Sequence, residues 1–385
     1  MTDEFPLDPE VLHLNHAGVA PWPRRTVAAV TRFAEENARL GSRRYPAWLA
    51  TERRLRERLA RLIGAAPHDI ALVKSTSEAL SIIAHGLRWQ PGENVVGILQ
   101  EFPSNRIVWE SLAPRGVGLR QLDLARSEAP EDDLLALCDA HTRLVAVSSV
   151  QYARGLRLDL ERLGAGCRLR GIHLCVDAIQ SLGALPFDLG RCTADFVVAD
   201  GHKWLLGPEG VALLYVAPAL REALDLHQFG WHMVAERGDF ERPDWRAAPD
   251  ATRFECGSPN MLGIHALEAS LSLLEEIGIE RVADAIGERT ARLIALVDRH
   301  GFELLSPRAA ARRAGIVTFR VPGADQPALY EALMGHGVLC AARGGGVRFS
   351  PHFYTREETL VRAMELAAAL AGGQVRRRAQ DNPAR

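Results

Sequence analysis

Short apolar runs alternate with amphipathic stretches through the first 250 residues of this chain. Six runs (69–73, 94–99, 144–148, 173–177, 195–199 and 211–216) are apolar at nearly every position, which predicts strands buried on both faces. Residues 23–40 and 47–63 carry helical spacing, the second with Arg and Glu on its exposed side. Ser75-Thr76-Ser77 precedes a helical stretch at 78–87, with hydroxyls placed to cap its first turn. Strands separated by helices predict an α/β domain built on a mostly parallel sheet covered on both faces.

From Met261 the pattern changes. Helices are expected at 261–276, 280–300, 325–336 and 356–371, with strands at 315–321 and 346–350. This reads as a smaller α+β domain. The expected division is an N-terminal arm at 1–24, a large domain at 25–250, a small domain at 251–371 and a disordered tail at 372–385. That tail holds Arg376-Arg377-Arg378 and no apolar face.

Composition narrows the function. With 47% hydrophobic and 24% charged residues the chain reads as a soluble globular protein, and a formal net charge of −2 points to neither nucleic acid nor an acidic membrane surface. The acidic start has no signal-peptide layout, and no apolar run reaches the roughly 18 residues of a membrane helix. The six cysteines are scattered without a CxxC pair, which fits reduced cytoplasmic thiols and implies no metal site.

Ligands in such sheets sit at the carboxyl ends of the strands. After 69–73 come Ser75, Thr76 and Ser77, able to receive a phosphate at a helix N-terminus, although taken alone they read first as a plain N-cap. After 173–176 comes Asp177, with Gln180 and Ser181 following; it either caps a helix or pairs with a protonated ring nitrogen. After 195–199 comes Asp200-Gly-His202-Lys203-Trp-Leu-Leu-Gly-Pro-Glu-Gly210. Lysine between an apolar strand and a Gly/Pro-rich turn is poorly placed for a solvated surface charge and well placed to form an imine.

Taken in order, these segments resemble the class V aminotransferase family. These are fold-type-I pyridoxal 5′-phosphate (PLP) enzymes that include cysteine desulfurases, isopenicillin-N-epimerase-like proteins and kynureninase. The resemblance runs from about Leu14 to Leu370. It implies a Schiff base on Lys203, Asp177 on the pyridine nitrogen and Gln180 on the phenolic oxygen. Ser75, Thr76, Ser77 and His202 would serve the phosphate, with Phe102 (in Glu101-Phe-Pro-Ser-Asn105) stacked on the ring and Gln151 beside its oxygen. Ser258, in Arg253-Phe-Glu-Cys-Gly-Ser258, would reach the phosphate of a second subunit, implying a homodimer. Arg348 would clamp the α-carboxylate of an amino-acid substrate, and Asn15 and His16 would line the entrance.

The chain also departs from the family. Asp200 stands where many relatives have Ser, which calls for His202 or an Arg to neutralise it or for Asp200 to point away. Phe102 replaces the His of cysteine desulfurases. Only Ala341 to Gly346 separate Cys340 from Val347, too few residues for a loop carrying a sulfur-transferring Cys. The expected chemistry is removal of the Cα proton by Lys203. Transamination is the first reading; elimination by a C–S lyase, epimerisation, or a catalytically silent PLP-binding protein are the alternatives.

Overall fold

A computed structural model describes residues 2–381. The chain starts with a short strand, β1 (Leu12–His13). Seven more follow: β2 (Ile70–Val73), β3 (Asn94–Ile98), β4 (Gly118–Leu122), β5 (Thr142–Ser148), β6 (His173–Asp177), β7 (Phe196–Asp200) and β8 (Ala212–Val216). These seven form one sheet in the order β2-β8-β7-β6-β5-β3-β4, with β8 antiparallel to its neighbours and the other pairs parallel.

Period-two geometry divides each strand between two apolar layers. Val145 and Val147, Leu174 and Val176, and Val197 and Ala199 face one core. Leu144 and Ala146, Cys175, and Phe196 and Val198 face the other. The first layer is covered by helix Tyr45–Ile63, through Trp48, Leu55 and Leu59. Helix Thr76–Gly86, through Ala79, Leu80 and Ile83, covers the second. Each fully buried Val or Leu contributes about 1.5–3 kcal/mol, so both layers are strongly specified.

The last five strands, β9 (Glu303–Leu304), β10 (Val317–Arg320), β11 (Val338–Leu339), β12 (Ala341–Arg343) and β13 (Gly346–Phe349), belong to the second domain. Four of them make an antiparallel sheet, β12-β13-β10-β9. The fifth, β11, pairs with β1 in parallel, so the N-terminal arm is stitched into the small domain, with Leu12 and Leu14 in its core.

Three expectations need correction. Helix Met261–Ile277, assigned from sequence to the small domain, packs on helices Arg24–Leu40 and Tyr45–Ile63, and Met261, Ile264 and Leu267 join the large domain's core. The change of domain falls near Gly278, not at 250, because the apolar stripe of this helix matches the large domain's surface. Strand β4 was not foreseen: it is a half-exposed edge strand, Gly-Leu-Arg-Gln-Leu, with no continuous apolar run. Helix Glu357–Asp381 continues through 372–381, where a disordered tail is expected, because the chain there continues the last turns of a helix already packed on the small domain. Residues 382–385 of that tail lie outside the described residues. Among the described residues, no helix is long and apolar enough to cross a membrane.

Where arm, small domain and large domain meet, three buried histidines cluster. The rings of His13 and His16 lie 4.5 Å apart, those of His16 and His352 5.1 Å apart, and His352 Nε2 is 3.1 Å from the Trp204 carbonyl. Burial pushes His13 down to about 4, His352 down to about 3, and His16 well below the usual imidazole range. All three folded values lie below the unfolded one, so the unfolded chain binds more protons as pH falls below about 6.5, and the contribution to stability drops. Buried Glu101 and Asp177, whose values are raised, act in the opposite sense. The comparison that isolates histidine is therefore His352→Gln against the parent chain. Between pH 7.5 and 4.5 the parent should lose about 2 kcal/mol more stability than the variant in denaturant titrations. Parallel pH profiles would refute the role given to His352.

Candidate active site

The site forms beyond the carboxyl ends of β5, β6 and β7. Parallel register sets Ser148 opposite Asp177, and Asp177 opposite Val198. Lys203 follows β7 by three residues, in a turn closed by the Leu206 amide donating to its carbonyl at 3.0 Å. Leu206 sits in the left-handed region at φ 61°, a strain of about 1 kcal/mol or more held at a turn that aims Lys203. Gly183 (φ 90°) lies under this turn, and a Cβ there would stand 2.3 Å from the Trp204 carbonyl oxygen. Any side chain at 183 would displace the lysine segment.

Lys203 is 8% exposed, and its Nζ stands 5.5 Å from the centroid of the Phe102 ring. Burial pushes its ammonium down to about 8, with Asp177 opposing and Arg348 assisting. Asp177 is buried, and one oxygen accepts from the Ile179 amide at 3.0 Å. Burial pushes its carboxyl up to about 6, against that bond and the Lys203 charge. A base and an acid with converging values in one cleft are a mark of catalytic sites.

The residues fit PLP. Lysine is present to bind the aldehyde, Asp177 is present for the ring nitrogen, and Phe102, 40% exposed, offers an apolar face. At the start of helix Thr76–Gly86, Ser75 caps the Glu78 amide at 3.2 Å, while the Thr76 hydroxyl is buried without a partner. Ser77 is exposed and donates to Ser104 at 2.8 Å. An orphaned hydroxyl at a helix N-terminus is what a phosphate would satisfy. Asp200 Oδ1 lies 3.0 Å from His202 Nδ1, within ion-pair distance but out of line for a hydrogen bond.

Other expected contacts are placed differently. Gln180 accepts from the Trp204 indole at 2.8 Å and donates to the Ala17 carbonyl at 3.1 Å, leaving one N–H for any ring oxygen. Gln151 accepts from the amides of Ala153 and Arg154 and donates to the Gln100 carbonyl at 2.9 Å, bracing its own turn. His16 is fully buried, with Nδ1 2.8 Å from the Ser350 carbonyl and Nε2 2.6 Å from the Tyr354 hydroxyl. It holds the arm to the small domain and cannot line an entrance, which corrects that expectation. Asn15 does reach the site: its Oδ1 accepts from Arg348 at 3.0 Å. Arg348 also donates to the Tyr152 carbonyl at 2.7 Å, and its Nε is buried without a partner. Ser258 is exposed in a cleft with Lys74 and Glu78.

Sequence reasoning overlooked one charged group. Glu101 is buried beside Phe102 and accepts from both the amide (2.6 Å) and hydroxyl (2.5 Å) of Ser148. Burial pushes it up to about 7, with the Asp177 charge adding to the shift. An acidic residue directly after a buried strand was the available signal. Cys340 is buried, and burial pushes its thiol up to about 12, so it stays protonated at neutral pH.

Known proteins share this plan. The profile of the family described as Aminotransferase class-V matches residues 12–363. Isopenicillin N epimerase of Streptomyces clavuligerus is 33% identical over 95% of this chain and 96% of its own length. A probable cysteine desulfurase of Methanothermobacter thermautotrophicus is 29% identical over 96% and 97%. The solved cysteine desulfurase of Thermococcus onnurineus superposes with a TM-score of 0.86 at 24% identity, over 96% and 97% of the two chains, which is a likeness of fold. With the site geometry and a profile match across nearly its whole length, the chain belongs to the class V aminotransferase family, the PLP-dependent enzymes of fold type I.

Proposed function

We propose that the protein is an aminotransferase that moves the amino group of an amino acid, with Lys203 as both the cofactor's covalent anchor and the proton carrier at the reacting carbon. Bound PLP supplies an electron sink that stabilises negative charge on the substrate's α-carbon. With PLP held there, Lys203 would be the group placed to take the Cα proton and to carry it across the reacting face of the site. Asp177 keeps the ring nitrogen protonated. Phe102 covers the ring and excludes water, Thr76, Ser77 and His202 receive the phosphate, and Arg348 binds the α-carboxylate as a bidentate pair. Ser258, exposed and remote from Lys203 in sequence, serves the phosphate of a second copy, which makes the enzyme a homodimer. Six free thiols suit a cytoplasmic setting.

The observation that carries this reading is the pairing of Lys203 with Phe102. On this reading Lys203 serves one face of the bound cofactor, and Phe102, which carries no proton, covers the other. Epimerisation by two bases needs a proton carrier on both faces; transamination needs one. Elimination also needs one, so C–S bond cleavage is the second reading, although the buried, protonated Cys340 is unsuited to act as a persulfide-forming nucleophile. The test incubates the holoenzyme with a panel of amino acids. Transamination requires amino-acid consumption to depend on an added keto acid. Pyruvate or sulfide released without an acceptor would establish the lyase, racemised substrate the epimerase, and an unchanged visible spectrum a silent PLP-binding protein.

A further inference from the structure

The hairpin β12–β13 lies beside the active site and carries two arginines on one face. Ala341 pairs with Arg348, and Arg343 pairs with Gly346. Opposite residues of an antiparallel pair share a face, as do residues two apart on one strand. Arg343 and Arg348 are therefore diagonal neighbours, with about 7–8 Å between them.

Their surroundings differ. Arg348 is buried and donates to two neutral oxygens, the Tyr152 carbonyl and Asn15 Oδ1. Arg343 is exposed, and its hydrogen bond among the described residues runs to the carbonyl of its own neighbour, Ala342, at 2.9 Å. Neither forms an ion pair with a described carboxylate. The charge of Arg343 bears on both Lys203 and Arg348, in keeping with its place beside Arg348 on the hairpin face. The acids whose charge bears on Lys203 are Asp177 and Asp200. Once an α-carboxylate neutralises Arg348, Arg343 is still without a counter-charge.

Arg343 is also held in position. The hairpin tip turns through Gly344 (φ 59°) and Gly345 (φ 85°). Arg154 donates through Nε and Nη2 to the Gly344 carbonyl, both at 3.1 Å, and a Cβ at 344 would stand 2.9 Å from the Arg154 side chain. This fastens the tip to the turn 151–154, the same turn whose Tyr152 carbonyl accepts from Arg348.

We propose that Arg343 determines specificity by binding a second carboxylate, so that the preferred substrate is an amino acid with an acidic side chain. This rests on the reading of Arg348 as the α-carboxylate site. The experiment is calorimetric binding of simple acids to the holoenzyme. Succinate, glutarate and adipate are each compared with the monoacid of the same length: butyrate, valerate and hexanoate. The best diacid should bind about tenfold or more tightly than its monoacid, and Arg343→Gln should cut that margin to below about threefold. In turnover, the wild type should prefer glutamate over glutamine or aspartate over asparagine, and the variant should lose the preference through a raised KM for the acidic member. Equal binding of diacid and monoacid, or a margin that survives in the variant, overturns the role of Arg343 alone. Failure of every acid to bind overturns it together with the Arg348 reading.

Discussion

Replacing Lys203 with alanine should abolish covalent attachment of PLP and lower turnover by at least about 10³-fold, the combined loss of an anchor and a general base. The chain makes this a sharp test, because its 46 basic residues include two lysines only, Lys74 and Lys203. Borohydride reduction followed by peptide mapping therefore has two possible answers. Lys203 is buried between Asp177 and Phe102, and burial has already pushed its amine to about 8, so a useful neutral fraction exists near neutral pH. Lys74 is exposed, just before the turn that opens helix Thr76–Gly86. A reduced adduct on Lys74, or an alanine variant at 203 that keeps its turnover, would remove the central assignment.

The second large effect is expected at Asp177. Asp177→Asn preserves shape and the acceptor for the Ile179 amide but removes the negative charge. Without that charge the ring nitrogen loses its proton, and the electron sink weakens. Turnover should fall by about 10²-fold or more, on the order of 3 kcal/mol of transition-state stabilisation, while PLP remains bound. Burial raises this carboxyl to about 6 in the cofactor-free protein, so the charge is present above that pH and lost below it. Uptake of PLP by the cofactor-free parent should weaken as pH falls through this region, and the Asn variant should lack that dependence. Near-parental turnover in the variant would show that the ring nitrogen is not controlled from position 177.

Much of this was legible before any coordinates. Uninterrupted apolar runs identified six of the seven strands of the large sheet, because strands buried on both faces have little freedom in composition. β4 escaped for the converse reason: an edge strand needs no continuous apolar face. Lys203 and Asp177 could be singled out because Asp177 ends such a run and Lys203 stands in the turn just beyond another, and strand order turns those positions into proximity. Hydrogen-bond partners were beyond reach. Gln180 and Gln151 looked like ligand contacts, yet the core occupies most of their amide groups. His16 looked like part of an entrance, yet both its nitrogens join the arm to the small domain.

The sequence by itself determined the fold class and singled out Lys203 and Asp177 as candidates, since these depend on local periodicity and on the residues at and just beyond the end of a strand. Only the tertiary structure decided which polar side chains stay available, where the domains divide, and that Arg343 shares a face with Arg348. Those properties arise from contacts between segments far apart in the chain: His16 with Ser350, Arg348 with Asn15, Glu101 with Ser148. A side chain's chemistry is written at its own position, but its availability is set by the neighbours that folding brings to it, and burial then moves the pKa of those that remain free.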